Sequence, residues 1–292
     1  MSTRLVAQVR ETAEMIKISH SIFALPFALA AGALATRETD SWSWWTLFWI
    51  VFCAVTARTA AMSQNRLIDA SLDAHNPRTA NRALPGGRVS RRFVIGLVVV
   101  SSALFVFGAW RINRICFHLS PVALFVLLGY PWTKRFTLLC HFWLGAALGL
   151  APMGAWLAVR GAWVDMTTPI LLGSAVALWT AGFDLIYACQ DAAHDREMGL
   201  HSIPARLGAA GALRLARLLH AVSVALLVWV GGLNPHLGWI YATGLALAVG
   251  LLVYEHGIVR PDDLSRVNVA FFTLNGLVSL LLGGLTAVDA LL

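Results

Sequence analysis

Apolar stretches long enough to cross a bilayer recur nine times along the 292 residues, at 19–36, 43–68, 92–111, 115–132, 137–157, 167–190, 212–232, 237–257 and 268–290. A helix needs about 17–25 such residues to span the hydrocarbon core. The chain is therefore expected to be all-α: a polytopic membrane protein folded as a nine-helix bundle. Pro26 interrupts the first stretch. Membrane helices tolerate such a proline; without that stretch, eight remain. Composition agrees, with 58% hydrophobic and 13% charged residues and a mean hydropathy of +0.71. A soluble domain carries about 25% charged residues.

The lysines and arginines give the bundle a direction. Seventeen fall on the side of the N-terminus, whereas only Arg37, Arg111, Arg114 and Arg160 fall on the opposite side; Arg58 lies inside the second stretch. Cytoplasmic loops carry the excess of basic residues, which places the N-terminus on the cytoplasmic face of a bacterial inner membrane. The net charge of +7 thus reads as an orientation signal confined to short loops, and nucleic acid is not an expected partner. MSTRLVAQVRETAEMIKIS is amphipathic and mixed in charge, unlike a cleavable leader. Cys53, Cys116, Cys140 and Cys189 stand singly in apolar runs without CxxC spacing. They read as small buried hydrophobes. Tryptophans such as WSWW at 42–45 read as interfacial anchors. No feature points to a protein partner.

Against this background two acidic runs stand out. NRLIDASLD holds Asn65, Asp69 and Asp73, and DLIYACQDAAHD holds Asp184, Tyr187, Asp191 and Asp195. Spacings of three, four and seven align each set along one face of a helix. Carboxylates at a membrane boundary are costly without cationic partners. Converging oxygens suit hard divalent cations, and Mg²⁺ is commonly held by carboxylates together with substrate phosphates. One such aspartate would usually be a cap or a solvated group; two DxxxD clusters on one side favour a site.

Each acidic run opens a long polar loop on the basic side, NPRTANRALPGG in one case and REMGLHSIPARLG in the other, and a third loop carries Tyr130, Lys134 and Arg135. These loops are expected to cap a single cavity. Arg78, Arg82 and Lys134, with Arg206 a weaker candidate, would neutralise a phosphorylated headgroup. A diphosphate leaves readily when cations meet its developing charge. A cavity open to lipid admits a polyprenyl tail from the bilayer, and Tyr187 and Tyr130 could face the allylic cation left behind. Arg58 lies seven residues before Asn65, on the same face but deeper; a bound carboxylate would be its natural mate. Arg88, Arg91 and Arg92 read as orientation signals, and His194 and His201 as loop residues.

The two acidic runs resemble the paired motifs NxxxDxxxD and DxxYxxxDxxxD of the UbiA-type intramembrane prenyltransferase superfamily. NPRTANRALPGG resembles its RTxxRPLPxG segment, with Ala83 in place of proline, and YPWTKR its YPxxKR. The resemblance covers about Lys17 to Gly208. It implies a bundle whose cytoplasmic loops cap the site, formed by one domain over 1–292 with two halves of about 17–135 and 136–292. By motif position, Asn65, Asp69, Asp73, Asp191 and Asp195 would bind Mg²⁺–diphosphate. Arg78, Arg82, Lys134 and Lys17 would bind phosphate oxygens. Asp184 and Tyr187 would line the reacting face, and Arg58 would hold an aromatic acceptor's carboxylate. The pattern is most similar to the 4-hydroxybenzoate polyprenyltransferases of quinone biosynthesis. The implied substrates are a polyprenyl diphosphate and a phenolic aromatic acid, with membrane lipid around the protein.

Two departures bear on the acceptor. His141 stands where that branch commonly has glutamine, and Arg66 where an acidic residue often follows the asparagine. Both are similar to relatives that prenylate a dihydroxynaphthoate in the futalosine route to menaquinone. Two other classes fit less well. CDP-alcohol phosphotransferases carry their aspartates in one segment, and an ion-coupled transporter would place ionisable groups near mid-membrane.

Overall fold

The computed structural model describes residues 11–12, 15–16, 22–39 and 43–292. The helices run α1 (Leu25–Thr39), α2 (Trp44–His75), α3 (Arg91–Ile112), α4 (Arg114–Thr133), α5 (Cys140–Arg160) and α6 (Thr167–Ala188). A 3₁₀ turn at Cys189–Asp191 leads to the short α7 (Ala192–Glu197), followed by α8 (Ile203–Leu233) and α9 (Trp239–Ile258). A π-helical turn, Val269–Leu274, continues into α10 (Asn275–Leu291). Among the described residues no strand forms beyond an isolated bridge between Arg260 and Asp263.

Among the described residues eight helical segments are long and apolar enough to cross a membrane. The ninth expected span is represented only by α1, whose 15 residues reach about 22 Å at 1.5 Å per residue. Its start reflects Pro26, which fits the first turn of a helix but not its interior. Elsewhere local chemistry sets the ends. Ser43, Ser90, Asn113 and Ser202 each accept a hydrogen bond from the backbone N–H three residues on, capping α2, α3, α4 and α8. Gly208, at φ 69°, breaks α8 after its first turns.

Helices α5 and α6 meet backbone to backbone. A side chain at Gly145 would sit 2.2 Å from the Ala177 carbonyl oxygen, and one at Gly149 would sit 2.5 Å from that of Gly173. Small residues permit this approach in membrane bundles, where dispersion and polar contacts replace the hydrophobic drive. An aromatic cluster of Phe23, Phe27, Trp179, Phe183 and Phe271 fills the centre, with ring centroids 4.9–6.5 Å apart. Large apolar side chains point outward from α3 and α4, including Val99 at 61% and Phe125 at 68% exposure. Such faces suit lipid rather than water.

The two ends of the bundle differ. One gathers the sparse arginines: Arg160 pairs with Glu38 and Asp165, and Arg111 lies over the Trp45 ring. The other gathers the loops at 76–90, 134–139 and 189–202 together with the acidic runs.

Candidate active site

The first acidic run lies wholly within α2, so the loop begins at Asn76, later than the sequence suggests. Asp69 and Asp73, 4% and 7% exposed, line its inner face. The second run does not stay on one helix. The 3₁₀ turn ends α6 before Asp191, and Asp195 sits on the separate α7. The expected single helical face therefore holds for Asp184, Tyr187 and the approach to Asp191, but not for Asp195.

Cations from the loops meet these carboxylates. Arg78 donates from Nε to Asp191 Oδ1 at 3.0 Å, from NH2 to Asp191 Oδ2, and from NH1 to the Tyr187 hydroxyl at 2.8 Å. Its guanidinium also lies 5.2 Å from the Tyr187 ring centroid. Partial burial works against its charge, but Asp191 and Tyr187 outweigh this and hold it above the ordinary arginine range. Arg82 donates to both oxygens of Asp73 at 2.7 Å. Lys134 Nζ lies 3.2 Å from Asp69 Oδ2, and Arg135 reaches Asp69 Oδ1 at 3.3 Å. The His201 N–H donates to the Lys134 carbonyl at 2.7 Å, tying two of the loops together. Asp195 lies beside Ser202, with Lys134 and Asp191 among its neighbouring charges. Arg206 is exposed at the start of α8.

Deeper in the bundle the same two helices carry a second tier. Asn65 donates to Asp69 Oδ2 at 3.0 Å. Tyr130 lies among the charges of Asp69, Arg66, Asp184 and Arg58. Tyr187 stacks at 4.2 Å on Phe271 of the π-helical turn. His141 Nδ1 lies 2.7 Å from Asp184 Oδ2. Lys17 is outside the described residues.

Four residues to which sequence reasoning gave no place among the site residues belong here. Asn76 donates to Asp191 Oδ1 at 3.0 Å. Arg135, noted only as part of a motif, braces Asp69 and also donates to the Ile68 carbonyl at 2.9 Å. Arg66 is buried rather than an exposed loop cation, and it donates to the Met15 carbonyl at 3.2 Å and to Asn65 Oδ1 at 3.4 Å. His141 completes the set.

Among the described residues no three His, Cys, Asp or Glu side chains form a ready-made chelate. The donors are nevertheless hard oxygens, from Asn65, Asp69, Asp73, Asp191 and Asp195. That set fits Mg²⁺ completed by substrate phosphates. Cations already bridge both acidic motifs at one end of a lipid-facing bundle.

Comparison with known proteins agrees with this geometry. The model of the UbiA prenyltransferase family matches residues 24–277. The chain belongs to that family. Curated relatives include a 4-hydroxybenzoate octaprenyltransferase from Thiobacillus denitrificans, 32% identical over 75% of this chain and 74% of the relative. One from Burkholderia mallei is 30% identical over 80% of each. Among solved structures, a UbiA homolog from Aeropyrum pernix K1 in its apo form superposes with TM-score 0.84 at 34% identity, covering 92% of this chain and 98% of that one. A UbiA homolog from Archaeoglobus fulgidus, bound to GPP and Mg²⁺, superposes at 0.77 and 20% identity over 96% and 99%. This UbiA-family chain is accordingly a membrane-embedded prenyltransferase; the transporter reading is not favoured.

Proposed function

We propose that this enzyme transfers a polyprenyl group from a polyprenyl diphosphate to a ring carbon of a phenolic aromatic acid of the 4-hydroxybenzoate type, in quinone biosynthesis. The observation that carries the reading is Arg78: rooted in the loop after the first motif, it grips Asp191 and Tyr187 of the second. The halves at about 17–135 and 136–292 thus face one shared headgroup. Asn65, Asp69 and Asp73 on one side and Asp191 and Asp195 on the other would hold Mg²⁺. When bound, Mg²⁺ supplies positive charge to the phosphate oxygens as the allylic C–O bond breaks.

The remaining work falls to side chains. Arg78, Arg82, Lys134 and, by motif position, Lys17 exchange their carboxylate partners for phosphate oxygens as the headgroup enters. Arg135 stays on Asp69, held also by two backbone carbonyls. The allylic carbon points inward, toward Tyr187, Phe271 and Asp184. Arg58 binds the acceptor's carboxylate, and Tyr130 feels the charges of both Arg58 and Asp69. Eleven residues of helix separate Arg58 from Asp69, about 16 Å of rise, which leaves room for an aromatic acid below the diphosphate. The basic excess at this end supports a site facing the cytoplasm of a bacterial inner membrane.

The same arrangement would serve 1,4-dihydroxy-6-naphthoate, and the feature that favours it is His141, standing where the 4-hydroxybenzoate branch commonly has glutamine. The test uses purified protein in detergent with Mg²⁺, a polyprenyl diphosphate and a mixture of both aromatic acids. One acid is consumed and appears as its C-prenylated product. Chelating the Mg²⁺, Asp69→Ala and Asp191→Ala each abolish turnover while melting stays near wild type. Near-wild-type activity in both variants would overturn the metal assignment.

A further inference from the structure

Helices α5 and α6 are locked together by the Gly145–Ala177 and Gly149–Gly173 contacts, and the next layer toward the site joins His141 to Asp184. The His141 ring is 2% exposed, and Nδ1 lies 2.7 Å from Asp184 Oδ2. A carboxylate accepts, so Nδ1 carries the proton. The other ring nitrogen, Nε2, is buried with no hydrogen-bond partner among the described residues. Buried polar atoms are normally satisfied, and an unsatisfied one calls for an explanation. An imidazole kept for packing alone would leave less polarity stranded if replaced by an apolar side chain. The ring's polar contacts are with Asp184 and with the neighbouring Cys140 thiol; only the one to Asp184 reaches across to α6, so its work is directed there.

Asp184 itself is not sealed off, its side chain being 21% exposed. It lies on α6 one turn below Tyr187 and seven residues before Asp191 of the following 3₁₀ turn, about 10 Å from the phosphate-binding tier at roughly 1.5 Å per residue. It shares the interior with Tyr130 and Arg58. A carboxylate at that depth faces the acceptor rather than the diphosphate.

Building on the function proposed above, we infer that His141 is a positioning residue that orients Asp184 to accept the acceptor's phenolic proton. As the allylic C–O bond breaks and the ring carbon forms the new C–C bond, the phenolic O–H proton passes to Asp184, leaving a dienone. The ring C–H proton then leaves to the departing diphosphate, and the resulting phenolate recovers its own proton from Asp184. One proton is released per transfer, and His141 holds the carboxylate in place throughout. The inference distinguishes a role in chemistry from one in packing, because only the former depends on how acidic the phenol already is.

The experiment uses the purified full chain with Mg²⁺, geranyl diphosphate and hydroxybenzoates of rising phenol acidity made by ring fluorination. With the parent acid, His141→Ala lowers kcat roughly 10- to 100-fold, less than the roughly 10²–10⁴-fold that a proton acceptor contributes in full, because Asp184 remains in place. The KM for geranyl diphosphate stays unchanged, and the loss shrinks steadily as the phenol becomes more acidic. His141→Gln, whose amide can still donate to the carboxylate, recovers most of the rate. Should His141→Ala fail to fold, Asp184→Asn gives the decisive series: it keeps the shape, loses the proton-accepting charge, and shows the same acidity-dependent loss. A uniform loss across the acceptors in either variant, or a glutamine variant no better than alanine, would overturn the inference. Wild-type protein that prenylates none of the phenolic acids would overturn the parent reading instead, before any variant is made.

Discussion

Arg78→Ala separates the roles of the loop cations. The guanidinium makes two bonds to Asp191 and one to Tyr187, yet its side chain is 32% exposed. Ion pairs at that exposure contribute about 0.2–1 kcal/mol to stability. At roughly 2–4 °C per kcal/mol for a chain of this size, the melting temperature in detergent should fall by no more than ~4 °C. In the proposed reaction the same group meets the diphosphate. A hydrogen bond to a charged partner is worth about 1.5–3 kcal/mol. At 1.36 kcal/mol per tenfold, kcat/KM should drop by roughly 10- to 150-fold. Arg78→Lys keeps the charge but loses the fork and should fall between the two.

The assay follows prenylated product by chromatography at varied diphosphate and at varied Mg²⁺. A second signature comes from the structure. Because Arg78 occupies Asp191 when no substrate is bound, its removal frees a carboxylate for metal. The diphosphate KM should therefore rise while half-saturating Mg²⁺ does not. Two results would refute the reasoning: activity within about twofold of wild type against the ~10-fold minimum expected, or a melting loss large enough to account for the kinetic defect.

Two further outcomes follow from the deeper tier and the core. Arg58→Ala should raise the KM for the aromatic acid about tenfold or more, as expected for loss of one charged contact, and leave the diphosphate KM unchanged; equal losses for both substrates would remove its carboxylate role. In the core, Asn275 accepts from Trp179 Nε1 at 2.7 Å and donates to Glu255 Oε1 at 2.8 Å and to the Ala270 carbonyl at 2.9 Å. Asn275→Leu strands those groups at about 1–3 kcal/mol apiece, so melting should fall by several degrees, whereas Glu255→Gln should cost far less; an unchanged melting temperature for the leucine variant would show that the network carries no stability.

Much of the site was legible because charge is rare in an apolar chain. Asp69, Asp73, Asp184 and Asp191 stand out at helical spacings, and the arginines beside them lie within a few residues of their motifs. What stayed hidden depends on geometry that spacing does not encode. DLIYACQDAAHD holds neither proline nor glycine, so nothing in it announces the 3₁₀ turn that moves Asp195 onto a separate helix. VAFFTL is simply apolar, yet it winds as a π-helix whose Ala270 carbonyl is taken up by the Asn275 side chain, and that register puts Phe271 against Tyr187. His141 and Asp184 are 43 residues apart on helices whose separation is set by glycines one to three turns away.

The pairing itself was only half legible. Sequence reasoning assigned the cations to phosphate and the carboxylates to metal, as though the two sets waited separately. In the structure they neutralise each other: Arg78 with Asp191, Arg82 with Asp73, Lys134 and Arg135 with Asp69. Half-buried carboxylates at a membrane boundary are not tolerated bare, so the end of the bundle must be self-neutral before any substrate arrives. A magnesium diphosphate is itself close to neutral, with its charges arranged in the complementary sense. On the proposed reading its binding would exchange partners within the site and leave the overall charge nearly unchanged, so that a single set of residues would be stable empty and still grip a diphosphate headgroup.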